Sequence, residues 1–307
     1  MAKKLSVVVI SITPFDKNGG LDEAAFRKQL GRLREAGVAV YVCGGGSGEA
    51  YALTQEERGR VMAIAVEELK GKVPVRAMGF EPRLASEMVT FVKAAERAKI
   101  DAVQIFSLEI GHGAKPTYEE MDPYYSEIIE STSLPVYLSS HRTVGYFLPL
   151  DLVENLVKRY PSIAGIAYGG PDAPYVAELI RRVGDRIEVH CAGPGMAMTV
   201  LGLGGNGFMG GEGNLSPELV ASVISAWQAK DYDKLRVSFG KLITLNGIDA
   251  RIGGTASSMR AMKPLMNAFG LPGGYLRPPR VPVSEADLKK AIAEVNALKL
   301  PGLSVLA

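Results

Sequence analysis

The feature that most constrains the fold of this chain is a regular alternation of short apolar runs with longer amphipathic segments. Eight runs have the length and continuous apolarity typical of strands buried on both faces: Leu5–Ile12, Val38–Cys43, Val75–Met78, Ala102–Phe106, Pro135–Leu138, Ile163–Ala167, Ile187–Cys191 and Gly207–Met209. Segments with helical periodicity follow the first seven runs: Asp22–Ala36, Gln55–Leu69, Ala85–Ala98, Tyr118–Ser131, Pro149–Arg159, Pro174–Val183 and Met196–Leu203.

A strand and a helix repeated eight times predict an α/β fold of the (β/α)8, or TIM barrel, type. A doubly wound open sheet is the alternative, but it usually has five or six strands and a G-x-G-x-x-G loop, a spacing that the glycine clusters here lack. Four more helical segments follow the eighth run: Ser216–Ala229, Tyr232–Asn246, Ala256–Phe269 and Ser284–Leu298. We therefore expect a barrel over residues 1–230 and a helical extension over residues 231–307, packed on it as one structural unit.

Charge and composition argue against several kinds of partner. The net charge is +2 and the lysines are scattered, which gives no reason to expect nucleic acid or an anionic membrane surface. No run of 18 apolar residues occurs, and the first apolar run is too short for a signal peptide, so we expect a cytoplasmic protein. Cys43 and Cys191 predict buried thiols rather than a disulfide. The histidines lack ligand spacing, so we expect neither a metal nor another cofactor.

A glycine-rich turn, Gly44-Gly45-Gly46-Ser47-Gly48-Glu49, follows the second run. Active sites of (β/α)8 barrels lie at the carboxyl ends of the strands. Consecutive N–H groups at Gly46, Ser47 and Gly48 would form an anion nest, and the Ser47 hydroxyl would add a donor to a carboxylate. A tight turn without a ligand is the equally simple alternative.

Two further stretches follow strand-like runs. Tyr137 lies near the predicted end of Pro135–Leu138 and precedes His141-Arg142-Thr143. A phenol there can move a proton, and Arg142 can hold a carboxylate with two hydrogen bonds. A core tyrosine beside a solvated arginine is the alternative.

Ala167 ends the sixth run, where a (β/α)8 barrel places an active-site residue. A lysine at such a position attacks a carbonyl carbon and forms a Schiff base. Alanine has no group that does so.

Together these stretches resemble the dihydrodipicolinate synthase / N-acetylneuraminate lyase family of class I aldolases. The resemblance rests on Thr13-Pro14-Phe15-Asp16, Gly45-Gly46-Ser47-Gly48-Glu49, Leu53-Thr54-Gln55-Glu56-Glu57, Tyr137 with Arg142-Thr143, Gly165-Ile166-Ala167 and Gly204-Gly205-Asn206-Gly207. It implies a TIM barrel, usually a homotetramer, that condenses, cleaves or dehydrates a 2-keto acid such as pyruvate, in some members with an aldehyde.

The resemblance also implies site residues. Ser47 matches a carboxylate-binding hydroxyl, Tyr137 the proton-shuttling tyrosine, Ala167 the Schiff-base lysine and Met209 an apolar residue beside the keto acid. Gly193, after the seventh run, is a further candidate for substrate binding.

Three departures from the family pattern argue against the synthase reaction itself. The first hydroxyl of the glycine motif is replaced by Gly46, the Asn and Pro after the tyrosine are missing, and no tyrosine occurs in Phe106–His112. An aldolase or dehydratase for another 2-keto acid fits better, with the synthase as an alternative. Residues in the barrel-face loops are then candidates for specificity: Glu109, His112, His141, Arg142 and Glu212.

The missing lysine leaves three hypotheses. The chain is an engineered alanine variant of a lyase that carries lysine at position 167, which retention of Tyr137 and Ser47 favours. Alternatively, it is a natural, catalytically inactive member that binds a keto acid as a sensor or scaffold. Thirdly, Lys115 replaces the lost amine, although nothing in its loop would lower its pKa.

Overall fold

In the computed structural model, which describes residues 4–141, 144–255 and 258–303, eight strands form a closed barrel in chain order. The strands are β1 (Ser6–Ile10), β2 (Ala39–Val42), β3 (Val75–Met78), β4 (Ala102–Ile105), β5 (Val136–His141), β6 (Ile163–Gly169), β7 (Glu188–Ala192) and β8 (Gly207–Gly210). The predicted (β/α)8 barrel is confirmed.

The helices are α1 (Glu23–Glu35), α2 (Gln55–Leu69), α3 (Ala85–Arg97), α4 (Tyr118–Glu130), α5 (Leu150–Arg159), α6 (Ala173–Val183), α7 (Ala197–Gly202), α8 (Pro217–Ala229), α9 (Tyr232–Gly253), α10 (Met259–Ala268) and α11 (Glu285–Ala297). Capping boxes fix two of their starts. Thr54 and Glu57 bond each other's backbone N–H groups at α2, as Thr117 and Glu120 do at α4.

The chain divides into two compact units. The first comprises residues 1–5 and 75–209, and the second residues 6–74 and 210–307. In the first, β3 to β8 pair in parallel, and every residue of β3 and β4 is buried. In the second, β1 pairs with β2, and α9 packs against α8, α10 and α11. The predicted boundary at residue 231 stays a prediction.

Two paired strands, β5 and β6, continue past their predicted ends. The prediction that Ala167 ends the sixth strand is wrong, because Tyr168 and Gly169 continue β6 in its pairing with β5. β5 does not end at Leu138, because Ser139, Ser140 and His141 continue the parallel pairing with β6. These polar residues have no apolar signature of a strand, but their backbone groups still join the ladder. Among the described residues, none of the helices combines the length and apolarity needed to cross a bilayer.

Candidate active site

Ala167 lies in a row of three residues on adjacent strands. In the register of the sheet it pairs with Ser139 of β5 on one side and with His190 of β7 on the other. Paired residues of parallel strands project from the same face, about 4.8 Å apart. The β6 position expected to carry an amine therefore carries a buried methyl group between a hydroxyl and an imidazole.

The Ser139 hydroxyl is buried without a hydrogen-bond partner among the described residues. Its backbone carbonyl is bonded, since it accepts from Ser107 Oγ at 2.8 Å. Buried polar atoms are nearly always paired, so an unpaired one indicates a water molecule or a ligand.

His190 is buried beside a carboxylate. Its Nδ1 lies 4.0 Å from Glu188 Oε2. Burial lowers the pKa of His190 to about 4, although the Glu188 charge acts in the opposite direction. The imidazole is therefore neutral at pH 7, with one nitrogen that donates and one that accepts.

Tyr137 is the second residue of β5 and lies one layer below Ala167. It pairs with Gly165, and its hydroxyl donates to Glu188 Oε2 at 2.8 Å. The Arg76 guanidinium lies 4.2 Å from the centre of its ring and 3.4 Å from the same carboxylate oxygen. The register of β5 against β6 thus places this phenol two residues before the row that contains Ala167.

Gly165 has a steric reason to be glycine. A Cβ atom there would lie 2.4 Å from Tyr137 Cε1. The tyrosine ring therefore occupies the space of the missing side chain. This explains the glycine of Gly165-Ile166-Ala167 as a packing requirement of the layer below.

In the second unit, the glycine turn holds another unpartnered hydroxyl. Ser47 Oγ is buried and has no hydrogen-bond partner in the part of the chain that the structure describes. The turn is fixed around it, since Glu49 N donates to Gly46 O at 3.1 Å and Thr13 Oγ1 donates to Gly48 O at 2.8 Å. A rigid turn with an unsatisfied donor suits the predicted carboxylate site.

The sequence model of the dihydrodipicolinate synthetase family matches residues 3–298. This chain belongs to that family. This confirms the resemblance inferred from the motifs. The family consists of lyases of the aldolase type.

Two curated relatives carry the name 4-hydroxy-tetrahydrodipicolinate synthase. The protein from Thermodesulfovibrio yellowstonii is 33% identical over 246 residues, which cover 79% of this chain and 81% of the relative. The protein from Methanopyrus kandleri is 30% identical over 283 residues, covering 91% and 90%.

Solved structures of the family share the fold. YagE, a prophage protein of the dihydrodipicolinic acid synthase family from E. coli K12 determined in complex with pyruvate, has a TM-score of 0.88 at 22% identity, over 96% of this chain and 99% of YagE. Dihydrodipicolinate synthase DapA-2 from Bacillus anthracis has a TM-score of 0.85 at 25% identity, over 97% and 98%.

The carboxyl end of β5 carries a second ionisable pair in this family member. His141 Nε2 lies 3.9 Å from Glu81 Oε1, and the imidazole meets Phe106 edge-on with 4.9 Å between ring centres. Burial lowers the pKa of His141 to about 4 and raises the pKa of Glu81, to which the charge of Glu109 also contributes. At neutral pH His141 is uncharged, so this contact is not a full ion pair.

The other predicted loop residues are dispersed. Glu109 bends back on its own loop, where its Oε1 accepts from Gly111 N at 2.8 Å, and His112 is exposed. Glu212, in the second unit, is buried and accepts from Asn246 at 2.6 Å. Arg142 lies outside the described residues.

Gly193 and Met209 are brought together at the end of β7 and β8. The Gly193 N–H donates to the Met209 carbonyl at 2.6 Å, and Gly193 has a φ of +80°, which glycine adopts readily. Met209 is buried and pairs with its neighbour on β7, Ala192. Both residues belong to the first unit, as Ala167 does.

Sequence analysis missed a buried ion pair behind the glycine turn. Lys263 of α10 contacts Glu49 and donates to the Tyr275 carbonyl at 2.9 Å, with its ammonium 4.3 Å from the centre of the Phe15 ring. Burial lowers the pKa of Lys263, and the Glu49 carboxylate opposes that shift. The available signal was a lysine on the apolar face of a helix, where an unpaired charge is costly.

Proposed function

We propose that this dihydrodipicolinate synthetase family member binds a small 2-keto acid without forming an imine. One observation carries the proposal: the row across β5, β6 and β7 consists of Ser139, Ala167 and His190, and none of them has an amine. The family resemblance supplies the ligand class. The structure of YagE with pyruvate is consistent with that class.

The two other lysines that bear on this question do not favour a replacement nucleophile. Lys115 is exposed, so its amine is solvated and does not lie in an apolar pocket where a nucleophilic lysine is expected. Lys263 is engaged with Glu49 and with the Tyr275 carbonyl. The Lys263 amine is therefore held within the fold by a carboxylate and a carbonyl oxygen, and its contacts give it a structural role.

A lyase that carries lysine at position 167 is the second candidate, with this chain as its engineered variant. The names of the relatives favour a lyase, and in particular one that catalyses the synthase reaction. The argument for an engineered variant, however, depended on a retained proton-shuttling tyrosine together with Ser47, and only the Ser47 part still supports it. Tyr137 instead bonds Glu188, and Ser139 is the β5 residue paired with Ala167. We therefore favour a natural member that binds its ligand non-covalently.

The glycine turn, taken by itself within the second unit, is our candidate for a carboxylate-binding element. Its support is the buried Ser47 hydroxyl without an internal partner. Assembly as a homotetramer and use of an aldehyde are further proposals that rest on the resemblance alone, and a cytoplasmic location is a proposal that rests on the apolar runs of the sequence. Light scattering of the purified protein tests the first of them.

The deciding experiment compares the unmodified chain with its Ala167→Lys variant. Each is incubated with pyruvate and borohydride, and the intact mass is measured. We expect an adduct on the variant only, together with saturable pyruvate binding by the unmodified chain in calorimetry. Ser47→Ala is expected to weaken that binding.

A borohydride-trapped adduct on the unmodified chain would overturn the proposal, since it would show a functioning imine-forming lysine elsewhere. Absence of both binding and adduct would exclude pyruvate-like acids as the ligand class. In that case the search would begin again from the polar row itself.

A further inference from the structure

We propose that Ser139 donates the hydrogen bond that recognises the C2 oxygen of the bound acid, and that His190 forms the opposite edge of this subsite. The ligand class is a small carboxylate with an uncharged oxygen on C2. This inference rests on the proposed function, that is, on non-covalent binding of a 2-keto acid.

Ala167 lies between two polar residues in the sheet. Ser139 and His190 are its two partners in the register, so their Cα atoms lie about 10 Å apart, twice the strand spacing. Only a methyl group stands between them. The volume that a lysine side chain would fill is therefore bordered by a hydroxyl and an imidazole.

Ser139 differs from two neighbouring buried serines. Ser107 Oγ donates to the Ser139 carbonyl, and Ser140 Oγ accepts from Leu148 N at 3.1 Å. Both hydroxyls therefore serve the fold. Ser139 Oγ alone of these three has no partner among the described residues, although the side chain is only 1% exposed. An unpaired buried hydroxyl is unfavourable for stability, which points to a ligand or water as its partner.

His190 lies next to a carboxylate of the layer below it. Glu188, beside its Nδ1, is held by the Tyr137 hydroxyl at 2.8 Å and by Arg76 at 3.4 Å. Because two partners fix the Glu188 carboxylate, it has a fixed position beside the His190 imidazole. His190 is 2% exposed and lies deep in the same row.

The charges around the row determine the orientation of the ligand. Ser139 and the neutral His190 offer hydrogen bonds but no positive charge, and the Arg76 guanidinium in the layer below is already paired with Glu188 at 3.4 Å. A ligand carboxylate placed here would be buried without a counter-charge, which is strongly unfavourable. The row therefore suits the uncharged C2 oxygen and excludes the carboxylate end.

The test compares pyruvate with propionate, which has the same carboxylate and chain length but no C2 oxygen. Binding of both acids is measured by calorimetry for the unmodified chain, Ser139→Ala, Ser139→Thr and His190→Leu. We expect Ser139→Ala to weaken pyruvate binding by about 3- to 10-fold, the equivalent of one net hydrogen bond, and to leave propionate unchanged. Ser139→Thr, which keeps the hydroxyl, should retain the preference, and His190→Leu should reduce it.

The matched control is Ser140→Ala, on the next position of β5, whose hydroxyl is already used within the fold. It should leave the ratio of pyruvate to propionate affinity unchanged. Urea unfolding provides a second readout, because loss of an unpaired hydroxyl should not lower the midpoint of Ser139→Ala, whereas loss of a structural bond should lower that of Ser140→Ala.

Three results would overturn the inference. They are an unchanged pyruvate affinity in Ser139→Ala, an equal loss for pyruvate and propionate, and a lost preference in Ser140→Ala. If the unmodified chain binds pyruvate but Ser139→Ala shows no change in preference, only this inference fails. If the unmodified chain does not bind pyruvate, the proposed function fails and this inference with it.

Discussion

Ala167 and Ser139 are partners across β5 and β6, so an amine introduced at position 167 would have a serine hydroxyl, and not a phenol, beside it. The resemblance assigns the family's proton shuttle to a tyrosine. Tyr137 has its hydroxyl on Glu188, two residues before that row. A lysine introduced at position 167 would therefore lack a neighbouring phenol in its own row.

We predict that Ala167→Lys alone forms a trapped pyruvate adduct but exchanges the methyl protons of pyruvate slowly. Adding Ser139→Tyr should accelerate that exchange at least about tenfold, since a positioned acid–base group contributes about 10²- to 10⁴-fold. The measurement is loss of the methyl signal in D₂O by NMR. The matched comparison is Ala167→Lys with Tyr137→Phe, which should exchange as Ala167→Lys does. If Tyr137→Phe abolishes exchange instead, Tyr137 is the proton shuttle after all.

At the scale of secondary structure, apolar periodicity predicted nearly every strand and helix, because the buried face of each element carries apolar side chains at the period of that element. Its failures are informative. β5 continues through Ser139, Ser140 and His141, and α9 continues to Gly253. The end of β5 could not be predicted from apolarity, because its last three residues carry polar side chains.

That unpredicted extension is also why the site was predicted only in part. Ala167 was found from its place near the carboxyl end of the sixth strand, although Tyr168 and Gly169 follow it in β6, and Ser47 was found from the glycine turn. Ser139 and His190 could not be found in this way, because their role comes from register between strands that lie 28 and 23 residues away along the chain. Alternation within β5, in which residues 137 and 139 share a face, was the one local signal.

The glycine turn provides a prediction at this scale. A Cβ atom at Gly48 would lie 2.4 Å from Gly44 N, whereas one at Gly46 would have no atom within 4 Å. Gly48→Ala should therefore lower the free energy of unfolding by about 1–3 kcal/mol, as overpacking does. Gly46→Ala, the matched control, should change it by less than about 1 kcal/mol. Urea unfolding followed by circular dichroism measures both, and equal losses would contradict the geometry.

For the whole molecule, buried histidines and buried carboxyl groups change the free energy of unfolding in opposite directions as the pH falls. Burial lowers the pKa of His190 and of His141 to about 4, below the ordinary 6.5. Between these values the unfolded chain binds more protons than the folded chain, so the histidines make stability fall as pH falls. Glu212 and Glu81 act in the opposite direction, since burial raises the pKa of their carboxyls and the folded chain then binds the extra proton. The net slope for the unmodified chain is therefore a partial cancellation.

A difference between variants isolates the histidine contribution. His190→Leu removes a group whose pKa falls from 6.5 to about 4 on folding, which corresponds to about 3 kcal/mol between pH 7 and pH 4. The free energy of unfolding of His190→Leu, relative to the unmodified chain, should therefore rise by up to that amount as the pH is lowered through this window. Above pH 7 the difference between the two proteins should be constant. His112→Gln, which removes an exposed imidazole outside the row, is measured in parallel as the control. Parallel curves for His190→Leu and the unmodified chain would show that folding does not lower the pKa of His190. The imidazole could then be charged, and the argument that the row excludes a ligand carboxylate would fail.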